Sequence, residues 1–312
     1  MRLTSDTLRG IWAGVTLPWN EDYSLDEQSL RENLRRLVDA RVHGIYTTGS
    51  TGEFYALDMS EFRQVVDIVT QVVCPTGTPV QIGCCSDDTR DILRQMEYAV
   101  SKGVDGLQFA LPYWMELTDR EVLHFFEDVS TAFPDTPLTH YNIPRAKRFL
   151  TGEMYSIILE LVPNLIGVKF TFAGSHFGDL QSSIHKTPQL AYFVSENLLV
   201  TGMQLGARGS CSSIVCMNPG FMLNMFSLAE QKEWQKALEM QERVVSFTND
   251  LAPLMEQFGL GGIDPVVDKG LAVASGFLVG HQRTRAPYIG WSDEGVQAVR
   301  TWLQEEYPDL TS

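Results

Sequence analysis

Short apolar runs recur along the first two-thirds of the chain, and between them apolar residues fall at helical spacing. IWAGVTL (11–17), GIYTT (44–48), PVQIG (79–83), GLQFAL (106–111), PLTHY (137–141), LIGVKF (165–170), LAYFV (190–194) and ARGSCSS (207–213) read as strands. Most are rich in β-branched and aromatic residues without strict alternation, the pattern of strands buried on both faces. Helix starts are marked by polar pairs. Ser24 with Glu27 forms a capping-box pattern ahead of Leu30, Leu34, Leu37 and Val38. Asp58 with Glu61 precedes Phe62, Val65, Val66 and Val69, and Thr118 with Glu121 precedes Val122, Phe125, Phe126 and Val129. Strands alternating with helices through short connections predict a parallel sheet with right-handed crossovers. Eight such units predict an α/β fold, a closed (β/α)8 TIM barrel over residues 1–217 that carries the active site. A doubly wound open sheet is the alternative, because periodicity does not show closure. Over 218–312 the pattern is helical only: Ser227 to Phe258, Asp264 to about Gly276, and Ser292 to Glu306. It predicts a C-terminal helical extension packed on the barrel.

Charge narrows the partners. With 39 acidic and 24 basic residues the net charge is −15, which disfavours a nucleic-acid partner, since phosphate binding needs clustered Lys and Arg. The five cysteines (Cys74, Cys84, Cys85, Cys211 and Cys216) are odd in number and match no zinc spacing. They read as small buried residues in a reducing compartment. The opening MRLTSDTLRG has no apolar core of a signal peptide. The longest nearly apolar run, Leu271 to Gly280, falls short of the ~17 residues a bilayer requires. These features predict a soluble, cytoplasmic protein that engages no membrane.

Catalytic groups of such a barrel sit at the C-terminal ends of strands and in the loops that follow. Three windows there carry chemistry. Gly49-Ser50-Thr51-Gly52-Glu53 follows the second strand; its glycines permit tight turns, and its hydroxyls and free N–H groups suit an anion such as a carboxylate. It is also compatible with an ordinary strand-to-helix turn. His140-Tyr141-Asn142-Ile143-Pro144 ends the fifth strand and offers a phenol, either a proton shuttle or a buried, hydrogen-bonded hydroxyl. Gly167-Val168-Lys169-Phe170-Thr171 ends the sixth. A lysine in an apolar strand either pairs with a carboxylate or loses its proton, and a neutral amine there is a nucleophile toward carbonyls. Cys84-Cys85 has no basic neighbour to favour a thiolate, the six histidines show no HExxH spacing, and no GxGxxG follows the first strand.

Together, GSTGE, YNIP and GVKFT in this order resemble the dihydrodipicolinate synthase / N-acetylneuraminate lyase family, class I Schiff-base pyruvate-dependent aldolases, over nearly the whole chain. The resemblance implies that Lys169 forms an imine with the ketone of pyruvate or another 2-oxo acid, that Tyr141 shuttles protons, and that Ser50 relays them. It implies that Thr51, within Gly49 to Gly52, holds the pyruvyl carboxylate largely through backbone N–H. Glu53 would support the loop. Thr171 matches the KxT pattern of the sialic acid lyases and would meet the substrate's polar tail. No metal and no cofactor are implied, because the iminium is itself the electron sink. A homotetramer of paired dimers is implied as the assembly.

The chain departs from the family pattern at three places. Where the family has a second relay tyrosine in P-[YF]-Y, this chain has Pro112-Tyr113-Trp114, so Trp114 is expected at that position, near the site entrance. Two residues past the YNIP proline, where the synthases carry an arginine for a substrate carboxylate, stands Ala146; Arg145 and Arg148 flank it, and Arg145 is the candidate substitute. Ser195-Glu196-Asn197 differs from the sugar-binding segment of the sialic acid lyases. The expected function is a class I lyase or aldolase that joins or separates pyruvate and an aldehyde, like the sialic acid lyases or the 2-oxo-3-deoxy sugar acid aldolases. The alternatives are a dihydrodipicolinate synthase (pyruvate plus aspartate semialdehyde), a related dehydratase, and a catalytically silent 2-oxo acid-binding barrel.

Overall fold

The computed structural model describes residues 3–171 and 176–311. Eight strands, β1 (Gly10–Gly14), β2 (Gly44–Thr47), β3 (Val80–Cys84), β4 (Gly106–Phe109), β5 (Leu138–Asn142), β6 (Leu165–Phe170), β7 (Ala191–Val194) and β8 (Gly209–Ser212), lie where the apolar runs predict them. All neighbouring strands pair in parallel, in chain order, and β1 also pairs with β8, so the sheet is a closed barrel. The open-sheet alternative is thereby excluded. Helices α1 (Glu27–Asp39), α2 (Met59–Val73), α3 (Thr89–Ser101), α4 (Asp119–Ala132), α5 (Gly152–Leu161), α6 (Phe177–Lys186) and α7 (Leu199–Leu205) connect successive strands.

Local chemistry fixes the helix starts. Asp58 and Thr118 each form the expected reciprocal capping box with Glu61 and Glu121. At α1 the cap is Asp26, which accepts from Ser29 N at 3.0 Å. Ser24 is unavailable for that role: its N–H and hydroxyl both donate to Asp22 Oδ1, at 2.9 and 2.6 Å.

Beyond β8 come α8 (Pro219–Glu230), α9 (Trp234–Gln257), α10 (Asp264–Ser275) and α11 (Asp293–Glu306). The helical run expected from Ser227 to Phe258 is interrupted where Lys232 adopts the left-handed conformation (φ 63°). α8 packs on α7 and β1 as the eighth helix of the barrel. We therefore propose that the extension starts near Trp234 rather than at 218. α10 and α11 pack together, and α10 returns to the turn that follows β8.

The barrel interior holds its own small core, in which Trp12, Tyr46, Ala191 and Phe193 pack with Leu3 and Leu8 from the N-terminal segment. Gly44 is glycine because the Trp12 ring leaves no room: a Cβ there would lie 2.4 Å from the indole. No helix among the described residues is long and apolar enough to cross a membrane.

Candidate active site

In a parallel barrel, residues in register on adjacent strands carry their side chains at one level. β5 and β6 pair Tyr141 with Lys169, which sets both side chains toward the interior at the C-terminal end. Lys169 Nζ donates to Tyr46 Oη at 3.1 Å and lies 4.0 and 4.6 Å from the ring centroids of Tyr141 and Tyr46. The amine is therefore held between two aromatic faces, a cation–π arrangement that favours the ammonium. Burial opposes its charge, the two tyrosines favour it, and the balance lies well above the ordinary lysine value. Burial pushes the Tyr46 phenol up as well, against the pull of Lys169. No ion pair among the described residues includes Lys169, and the Tyr46 hydroxyl accepts from its amine.

The 49–53 loop stands on β2. Gly52 is required, because a Cβ would lie 2.5 Å from Thr48 N; at Gly49 the nearest atom, on Tyr46, is 3.8 Å away. Thr48 and Glu53 both have left-handed backbones, φ 56° and 48°. Thr48 is held by donation to the carbonyls of Thr47 and Gly83, at 2.7 and 2.8 Å. Glu53 is fully buried. It accepts from Trp19 Nε1 and Arg285 N, each at 2.9 Å, and forms a buried ion pair with Lys269 of α10. Burial lowers the Lys269 ammonium to about 8, with Glu53 opposing the shift. Thr51 Oγ1 donates to Asp268 Oδ2 at 2.6 Å. Burial, with Asp264 and Glu196 nearby, raises the Asp268 carboxyl to about 7 against hydrogen bonds from Thr51 and Ser213.

Beside Tyr141 lies a cavity of about 230 Å³. Ser50, Tyr141 and Arg145 line it together with Phe54, Tyr55 and Tyr113. Arg145 meets Asp264 in a bidentate pair, 2.6 and 2.9 Å. Arg148 turns away to Leu117 O, at 2.6 Å, and to Asp119. Ala146 is buried in the cavity wall. Trp114 does not line this cavity: it is 71% exposed, as is its neighbour Met115 at 73%. Tyr113 faces the cavity instead, edge-on to Phe54 with centroids 6.0 Å apart. The Thr171 hydroxyl is buried without a hydrogen-bond partner among the described residues. A larger open cleft of about 710 Å³ runs along 281–291 and shares only Tyr288 with this cavity.

The profile of the dihydrodipicolinate synthetase family matches residues 7–305. The chain belongs to that family. It is therefore a lyase of that family's kind, on a (β/α)8 scaffold. A 4-hydroxy-tetrahydrodipicolinate synthase of Methanopyrus kandleri is 28% identical over 237 residues, 75% of this chain and 78% of that one. An uncharacterized DapA-like lyase of Halobacterium salinarum is 28% identical over 241 residues, 76% and 77% of the two chains. Among solved structures, YagE of E. coli K12, a prophage protein crystallised with pyruvate, superposes with a TM-score of 0.86 at 22% identity, covering 96% of this chain and 98% of its own. CdNal of Clostridium difficile, in complex with mannosamine, gives 0.84 at 22% identity, covering 96% and 99%. At such identities the likeness of the structures concerns the fold.

Of the residues singled out from sequence for this family's chemistry, Ser50, Tyr141 and Arg145 share one cavity, and Lys169 lies against Tyr141. Trp114 does not join them. Tyr46, Asp268 and the Phe54–Tyr55 pair went unnoticed. Tyr46 stands three residues before Gly49 at a strand end, a signal of the same kind that drew attention to Tyr141. Asp268 is more than 200 positions from Thr51 and gave no local sign. Burial pushes the Cys85 and Cys211 thiols to about 11 and raises Cys84 further, in keeping with cysteines that act as buried packing residues.

Proposed function

We propose that this lyase carries the pyruvyl end of a 2-oxo acid as an imine on Lys169 and makes or breaks the carbon–carbon bond to an aldehyde. The observation that carries the reading is the lysine held between Tyr46 and Tyr141, the second of which lines the cavity. The pyruvate bound by the structurally similar YagE supports it.

In this reading the Lys169 amine gives up its proton and attacks the 2-oxo carbon, and loss of water leaves the iminium. The iminium draws electrons from the adjacent carbon, so the bond one atom further on breaks into an enamine or forms from it. Tyr141 moves the proton at the departing or arriving aldehyde oxygen, and Ser50 orients it. Backbone N–H groups of the 49–52 loop, Thr51 foremost, hold the pyruvyl carboxylate. Thr171 offers a buried hydroxyl that has no hydrogen-bond partner among the described residues.

The chemistry is the aldol or retro-aldol step that the sialic acid lyases and sugar-acid aldolases perform, with the aldehyde's tail left to the cavity, rather than that of the lysine-pathway synthase. A carboxylate-tailed aldehyde needs a free arginine fork, and Arg145 is engaged by Asp264 while Arg148 faces Asp119. A homotetramer of paired dimers is part of the proposal, and the exposed Trp114–Met115 pair supports burial against a second copy. Borohydride reduction with pyruvate, followed by peptide mass spectrometry, tests the imine. A pyruvyl adduct on Lys169 is expected; an adduct on another lysine alone overturns the assignment, and no adduct at all favours a silent binding barrel.

A further inference from the structure

One wall of the cavity that Tyr141 lines is a chain of aromatic rings. Tyr113 meets Phe54 edge-on at 6.0 Å, Phe54 meets Tyr55 at 6.0 Å, and Tyr55 meets Tyr288 at 5.1 Å, with interplanar angles of 70, 79 and 83°. Ile143 and Pro265 complete the apolar surface. Among the described residues lining the cavity, Arg145 is the one charged side chain, and both of its terminal nitrogens are engaged by Asp264. An anionic tail would have to displace that carboxylate. The polar groups on offer to a polyol are the hydroxyls of Ser50 and the four lining tyrosines, and these are set among ring surfaces. Ring edges pack best against the face of another ring. The volume, about 230 Å³, lies below the ~300–1,000 Å³ of drug-sized sites, so it suits a tail of one ring.

We propose that the aldehyde partner of this lyase is an uncharged aldehyde bearing a single aromatic ring, received edge-to-face by Tyr113, Phe54, Tyr55 and Tyr288. The proposal rests on the imine reading given above. In the condensing direction, carbon 3 of the Lys169-bound enamine attacks the aldehyde carbon. The aldehyde oxygen takes a proton through Tyr141, and one water hydrolyses the iminium. The net reaction, pyruvate plus aryl aldehyde giving a 4-hydroxy-4-aryl-2-oxobutanoate, is balanced without oxidant or reductant.

The test measures condensation with pyruvate on the full-length protein, with benzaldehyde, glyceraldehyde and succinate semialdehyde as the three partners. Borohydride trapping of pyruvate alone is run in parallel. Differences in hydrophobic packing discriminate by about 10–200-fold, so kcat/KM for benzaldehyde should exceed each of the others at least tenfold. Benzaldehyde is the least electrophilic of the three, so the preference would report the cavity. Phe54→Ala and, separately, Tyr288→Ala should each collapse the benzaldehyde-to-glyceraldehyde ratio toward one. A wild-type ratio near or below one, with pyruvate still trapped on Lys169, overturns the aryl assignment and leaves the imine standing. Failure of trapping overturns both.

Discussion

A lysine that rests as an ammonium must lose its proton before it attacks a ketone. Lys169 is raised by its two tyrosines, so the rate of imine formation is expected to climb with pH across the neutral range, as read by timed borohydride quenches. Tyr46→Phe keeps the ring and removes the oxygen that accepts from Nζ at 3.1 Å. The profile should then shift to lower pH, an effect that simple loss of packing would not produce. Tyr141→Phe removes the proposed shuttle and should lower turnover by ~10²–10⁴-fold, the usual contribution of a positioned acid or base; near wild-type turnover would make Tyr113 the next suspect. These residues differ in how far sequence exposed them. Lys169 and Tyr141 stand out because a strand buried on both faces has no ordinary use for an ammonium or a phenol at its end. Register within a loop does not say which of two adjacent aromatic residues turns inward, and in this chain Tyr113 rather than Trp114 lines the cavity.

At the scale of elements, the 49–53 loop and α10 are one unit joined by the Glu53–Lys269 pair, both side chains essentially inaccessible. Removing one partner strands the other charge in the interior. Glu53→Ala is therefore expected to cost roughly 3–5 kcal/mol in a denaturant titration. Glu53→Gln combined with Lys269→Met should cost less than the sum of the two single changes. Strict additivity would show that the pair does not couple the elements. Glu53 was legible as a support for the loop, because it closes a glycine-rich turn. Its partner was not, since nothing near position 269 announces that α10 comes back over the barrel mouth. The capping boxes at Asp58 and Thr118 were legible because they are closed within four residues. The Ser24 cap failed because Asp22, two residues earlier, competes for the same N–H and hydroxyl.

Across the whole molecule, stability carries the mark of Asp268. Its carboxyl is held to about 7 in the fold, whereas an unfolded chain releases that proton near ~3.9. The folded protein binds the extra proton between these values. Asp268 therefore favours folding fully below the lower value, and that contribution is lost as pH rises through the upper one. Relative to wild type, Asp268→Asn should gain stability progressively from about pH 4 to pH 7, by a total of order 1–4 kcal/mol, measured by chemical denaturation at several pH values. A constant difference across that range would assign the effect to packing. The chain's own sequence determined the eight strands, their alternation with helices and the places where Lys169, Tyr141 and the 49–53 loop fall, because burial on two faces and helix capping are written in residues a few positions apart. Only the tertiary structure decided barrel closure, the cradle of Tyr46 around the lysine, the pairing of Arg145 with Asp264 and of Thr51 with Asp268, and the ring-lined wall of the cavity. Each of those joins residues tens to hundreds of positions apart, and their contact depends on strand register and on the path of α10, which no local pattern encodes.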